Sequence, residues 1–170
     1  GYYEDKEELV FINNTSNKNL DIMRPDMNVS ALETAAYNIN RNQRDFAFYE
    51  WGKSYGKVDG KYEEHFSLSL LLSGTTRNAH WSGGNAVQVD FYDLKAHVEG
   101  VLQRLGISGY QSEELSGDKY YSYGLKYFRG PMNLVSFGKV KNSVSDKFDI
   151  ETDIFTAVFN WDVIRKNIPS

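Results

Sequence analysis

The chain has 170 residues, 41% hydrophobic and 25% charged, with 14 glycines, 3 prolines and no cysteine, a length that favours one compact unit with a sizeable core. The lack of cysteine removes disulfides, thiolate metal sites and a cysteine nucleophile and fits a reducing cytoplasm, while no apolar run approaches the roughly 18 residues of a membrane span. A net charge of −4 makes the chain as a whole repel a phosphate backbone.

An acidic leader, residues 1–8, sets four acids against one lysine and cannot open a secretory signal. Leu9 to Ile12 reads as a short strand, followed by the polar turn Asn13 to Asn17. Beyond Arg24-Pro25-Asp26, the apolar positions Val29, Leu32, Ala35, Ala36 and Ile39 recur at three- and four-residue steps, the period of a helix with one buried face. Ser30 and Glu33 have the spacing of a capping box, which places the helix start near Asn28 or Ser30. Phe46 to Trp51 is an aromatic strand, and Asp59-Gly60 supplies the positive-φ pair of a tight hairpin turn. In the returning arm, His65 to Ser73, Phe66, Leu68, Leu70 and Leu72 share one face while His65, Ser67 and Ser69 share the other, so one face is expected to meet the core. Gly74 to Gln88, with Trp81, reads as a surface loop.

Phe91, Leu94, Val98, Val101, Leu102 and Leu105 then mark an amphipathic helix with Asp90 as N-cap and Gly106 as its stop. Short strands follow at Ser108 to Gln111, Tyr120 to Phe128, Leu134 to Val140 and Ile154 to Asn160, and a brief helix runs from Trp161 to Lys166. Strands joined by turns with two substantial helices describe an α+β fold, an antiparallel sheet with helices expected on one face.

Chemistry-bearing residues are sparse. His65, His80 and His97 are far apart, and the pair Asp93 and His97 on one helix falls short of the three or four ligands a metal needs. Gly83-Gly84 lacks the Lys-Ser or Lys-Thr of a phosphate loop, and there is no Gly-x-Ser-x-Gly elbow. Glu63-Glu64, Glu113-Glu114 and Asp149 with Glu151 read as solvated turn residues. Between Lys119 and Lys147 six cations oppose Asp146 alone, a local +5 that leaves −9 for the rest. Tyrosines interleave with these lysines, which describes either a surface for single-stranded nucleic acid or a half-buried sheet with a solvated face. No catalytic, cofactor-binding or metal-binding set emerges.

An ordered series of segments resembles the synthetase-like core of the bacterial phenylalanyl-tRNA synthetase beta subunit. It comprises Leu20 to Arg24, the helix with Leu32-Glu33 ending Asn38 to Arg41, Tyr49-Glu50-Trp51-Gly52, Leu70 to Gly74, Trp81, and Asp90 to Lys95 with Glu99, Leu102 and Leu105-Gly106. Phe137-Gly138, Phe148 to Ile150 and Phe159 to Asp162 complete it. The likeness covers residues 9–166 and implies a core like that of class II aminoacyl-tRNA synthetases in which this copy performs no chemistry. Gly56 stands where the catalytic alpha subunit's motif 2 carries an ATP-gripping arginine, and no motif 3 arginine follows. Tyr127 to Pro131 and Lys139 to Asn142 replace the family's His-Pro-Gly-Arg-Ser-Ala-like and Glu-Leu-His-Pro-like segments.

The resemblance implies a piece of a longer polypeptide that packs on the alpha subunit of a cytoplasmic ligase complex. ATP and magnesium are then expected in the whole complex and not here, with tRNA as its substrate and no membrane contact. The expected subunit contacts are Met23, Arg24, Leu32, Phe46, Phe48, Glu50 and Gly52; the alternative, a tRNA-supporting surface, would use Lys126, Arg129, Lys139 and Lys141. A small enzyme or ligand-binding unit using His97 and Asp93 is the third expectation.

Overall fold

A computed structural model describes residues 9–10, 23–77 and 86–169. Helix α1 spans Met27–Ile39 and starts earlier than the Ser30/Glu33 spacing predicts, because Asp26 accepts hydrogen bonds from the Asn28 and Val29 amides. Ser30 turns its hydroxyl instead to Glu50 Oε2, 3.2 Å away on a strand. A tertiary carboxylate wins over the local box. The chain then forms a hairpin of strands β1, Phe46–Val58, and β2, Lys61–Ser73. Its turn holds Asp59 and Gly60 at φ 48° and 76°, the left-handed pair that the Asp-Gly signal predicts. Both arms are longer than expected, running in unbroken register from Phe46 opposite Ser73 to Val58 opposite Lys61.

Within the expected loop, β3, Thr75–Arg77, and β4, Val87–Gln88, form a small ladder, while His80 and Trp81 lie outside the described residues. Helix α2 spans Phe91–Arg104 with Asp90 and Asp93 closing a reciprocal capping box, and the chain leaves it through Gly106 at φ 70°. Strand β5 is Gln111–Glu114, displaced from the Ser108 to Gln111 expectation. Then come β6, Tyr121–Arg129, β7, Met132–Val140, the single-turn α3, Asn142–Ser145, a 3-10 turn at Asp146–Phe148, β8, Ile154–Asn160, and α4, Trp161–Asn167. Glu63 and Glu64 sit on β2, and Glu113 and Glu114 on β5, so these acids are strand residues and not turn residues.

The main sheet is antiparallel with strand order β1-β2-β8-β7-β6-β5. Helices cover both faces, which corrects the one-face expectation. Leu68, Leu72, Phe155, Ala157 and Phe159 pack toward α2 and α4 in one core, while Leu71 and Ile154 meet Val29, Leu32 and Ala35 of α1 in another. The serine–leucine alternation of β2 imitates a half-solvated strand, yet Ser67, Ser69 and Ser73 are buried as well. Ser73 satisfies its hydroxyl on the Asp153 carbonyl at 2.9 Å. Because β8 pairs with β2 only over Ser67 to Ser73, the hairpin from Lys53 to Phe66 extends past β8 as two strands among the described residues.

One close approach fixes β6 against β7. Gly124 faces Gly138, and a Cβ on Gly124 would stand 2.3 Å from the Phe137 carbonyl oxygen. Among the described residues no helix is long and apolar enough to cross a membrane.

Candidate functional site

Of the expected subunit contacts, Arg24, Glu50 and Gly52 meet where the segment before α1 crosses β1. Arg24 Nη1 lies 2.7 Å from Glu50 Oε1, and the Arg24 carbonyl accepts the outward-facing Tyr55 amide at 2.8 Å. Gly52 leaves room for this crossing, since a Cβ there would meet Arg24 Nη1 and the Met27 thioether at 2.7 Å. Met23 is half-buried beside it. Leu32 and Phe46 face the chain's own core, at 0% and 9% exposure. Phe48 stacks on Phe46 with ring centroids 5.2 Å apart but remains 39% exposed.

The outer strand β1 is bordered by a groove on each face of the sheet. A cavity of about 360 Å³ elsewhere aside, one groove of about 270 Å³ runs between Ala31, Thr34, Phe48, Glu50 and Leu71. On the opposite face a groove of about 210 Å³ is lined by Ala47, Tyr49, Leu70, Leu72 and Val101. Tyr49 is 72% exposed, and Trp51, edge-on to Trp161 at 4.3 Å, is 44% exposed. Sequence pattern marks these aromatics as strand residues; that they stand on an edge follows only from strand order.

The proposed RNA-contacting cations do not form one stripe. Lys126 and Lys139 project from opposite faces of the sheet, as the regular β7–β8 register requires. Lys126 Nζ lies 2.9 Å from Glu113 Oε2 and Lys139 Nζ 2.9 Å from Asp153 Oδ1. Arg129 reaches the Ser108 carbonyl and, at 3.1 Å, Asn167 Oδ1. Lys141 donates to the Asp118 carbonyl at the opposite end of the strands.

The Asp93 carboxylate accepts the Asp90 amide at 2.9 Å within the capping box, so it serves α2 and not His97, which is exposed. His65 pairs with Glu63 at 3.3 Å. Among the described residues no three His, Cys, Asp or Glu groups gather as a metal site.

Two tyrosine networks had no signal in the sequence, because their partners come from distant segments. On the α1 side of the sheet, Tyr121 donates to Asn28 Oδ1 at 3.3 Å, and Thr156 Oγ1 lies 2.8 Å from the same oxygen and 3.1 Å from the Tyr121 hydroxyl. All three are buried. Burial pushes the Tyr121 phenol up to about 12, against smaller lowering by Thr156 and Asn28. On the other face Tyr127 donates to Glu99 Oε1 at 2.8 Å, and burial, with the Glu99 carboxylate, raises its phenol strongly.

Residues 2–161 match the family model of the phenylalanyl tRNA synthetase beta chain CLM domain. The phenylalanine–tRNA ligase beta subunit of Bacteroides thetaiotaomicron is 30% identical over 99% of this chain, which spans 22% of that protein. Its counterpart in Thermotoga maritima is 24% identical over 94% of this chain and 20% of its own length. Among solved structures, pyrrolysyl-tRNA synthetase from Desulfitobacterium hafniense superposes with a TM-score of 0.68 at 14% identity, covering 93% of this chain and 52% of that one. The fold is that of a class II synthetase core.

Proposed function

The chain belongs to the phenylalanyl tRNA synthetase beta chain CLM domain family, and from that premise we propose that it is a non-catalytic packing module of the beta subunit. In this role it docks on the catalytic alpha subunit through the Arg24–Glu50 crossing and the exposed β1 edge, and so supports aminoacylation of tRNA in the cytoplasm. The observation that carries the proposal is that edge: a long outer strand with exposed Phe48, Tyr49 and Trp51 and an apolar groove on either side. Unpaired strand edges and exposed aromatics favour a macromolecular partner.

Neither the buried Asn28–Tyr121–Thr156 network nor the Arg24–Glu50 pair supplies an uncommitted cation for a nucleoside triphosphate. Asn28, Tyr121 and Thr156 are neutral and bonded to one another, and the Arg24 guanidinium is held by Glu50. Gly56, on the outer half of the hairpin, offers no cation. In the proposed role, ATP and magnesium bind on the alpha subunit. The small-enzyme reading finds no support in Asp93, whose carboxylate caps its own helix.

Mixing this chain with the matching alpha subunit and following mass by light scattering, together with phenylalanine-dependent ATP–pyrophosphate exchange, tests the proposal. A complex whose exchange activity requires the alpha subunit is expected. Exchange by this chain alone, or failure to associate at any salt concentration, overturns it.

A further inference from the structure

Glu99 and Gln103 of α2 and the loop at 106–110 line a groove of about 650 Å³. Glu99 is the one acid in that lining, and no lysine or arginine shares it.

The Glu99 carboxylate is held through one oxygen. Its Oε1 accepts the Tyr127 hydroxyl at 2.8 Å and has the Lys95 ammonium 3.8 Å away, one helical turn back. Oε2 has neither a hydrogen-bond nor an ion-pair partner among the described residues. A carboxylate so fixed, with its side chain 46% exposed, keeps one oxygen available to a cation. Tyr110 stacks on the Tyr127 ring with centroids 4.7 Å apart and lines the groove as well. Burial and the Glu99 charge both raise its phenol, so Tyr110 stands within the field of that carboxylate. An aromatic ring beside a carboxylate favours a planar cation, which stacks on the ring and pairs with the charge.

Two further features add to the negative potential. α2 ends between the lining residues Gln103 and Gly106, where the helix dipole is negative, and Arg104 of that turn does not share the lining. The loop also already receives a guanidinium from this chain, since the Ser108 carbonyl accepts Arg129.

We infer that this groove binds a guanidinium group, presented by an arginine side chain of a bound polypeptide or by a free alkylguanidine. Glu99 Oε2 supplies the counter-charge, the Gln103 side chain a second acceptor and the Tyr110 ring a stacking face. The inference is independent of docking on an alpha subunit, which uses the β1 edge.

Following backbone amide shifts of the 170-residue chain by NMR, during titration with a short arginine peptide and separately with propylguanidine, distinguishes the two sources. At about 20 mM salt, where screening is weak, at least one probe saturates and shifts the Gln103, Ser108 and Tyr110 amides. Tighter binding of the peptide assigns a side chain; equal or tighter binding of propylguanidine assigns the free cation. Their uncharged counterparts, a citrulline peptide and propylurea, bind at least about fivefold more weakly. Glu99→Gln, which keeps an acceptor for Tyr127, weakens binding at least about fivefold, and Tyr110→Leu about threefold. Glu113→Gln on β5 changes it less than about twofold, and circular dichroism checks that each variant is folded. No saturable binding by either probe, undiminished binding in Glu99→Gln, or equal binding of the uncharged counterparts overturns the assignment.

Discussion

The two edges of the sheet are built on opposite principles. β5 is four residues, Gln-Ser-Glu-Glu, all exposed, and Glu113 is tied to Lys126 of the neighbouring strand. Shortness and charge are standard defences against strand addition. β1 runs 13 residues, and the half from Phe46 to Trp51 carries exposed aromatics between two grooves. Its other half is partly shielded by the Arg24 carbonyl on Tyr55. Among the described residues β1 is thus the open edge and β5 the protected one, and the proposed docking role uses the open one.

The sharpest way to break this comparison is to charge the open edge. Phe48→Lys with Tyr49→Lys is expected to weaken association with the alpha subunit by about 2–4 kcal/mol, the range for central aromatic anchors, as read by light scattering. Their effect on the urea midpoint of the chain alone is expected within about 0.5 kcal/mol. The two sides of the sheet also differ in how they tolerate a methyl group. Gly124→Ala drives a Cβ into a backbone carbonyl and should cost about 3 kcal/mol in urea unfolding. Gly52→Ala meets only the flexible ends of Arg24 and Met27 and should cost about 1 kcal/mol. Equal losses would show that the crossing at β1 is as rigid as the glycine pair.

Alkaline pH sharpens the contrast further. The Tyr121 phenol rises from its ordinary 10 to about 12 in the folded chain, so the unfolded chain loses its proton first. Stability is full below pH 10 and falls as pH rises toward 12, by roughly 2 to 3 kcal/mol for Tyr121. Tyr127, on the same strand, adds to the same direction. Urea midpoints should drop across that window, and Tyr121→Phe should flatten part of the drop; an unchanged slope would remove Tyr121 as its source. The smallest effect is expected from Glu113→Gln, within about 0.5 kcal/mol, because exposed ion pairs contribute little.

Helix α2 was legible in the sequence because its signals are local: Asp90 begins it, Gly106 ends it, and one apolar stripe lies between. The hairpin turn was legible for the same reason. α1 was displaced because Ser30 finds Glu50, a partner invisible to local spacing. Helices on both faces were missed because buried serines on β2 look solvated until their tertiary bonds are known. The basic stretch was legible as half-buried strands, but not in how its lysines are distributed. Strand alternation sends neighbouring lysines to opposite faces, and Glu113 and Asp153 reach two of them from other segments, while Lys119, Lys141 and Lys147 meet only through the fold.

Among the described residues, no third strand pairs with the outer half of the β1–β2 hairpin, from Lys53 to Phe66. Its stiffness must therefore decline along its length: a two-stranded ribbon is marginal in water, whereas the inner half is anchored by β8. At about 3.4 Å per residue it forms an arm roughly 20 Å long. Amide exchange should accelerate from Ser67 outward to the Asp59-Gly60 tip, making the hairpin a graded spring, firm where it joins the sheet and compliant where it reaches outward.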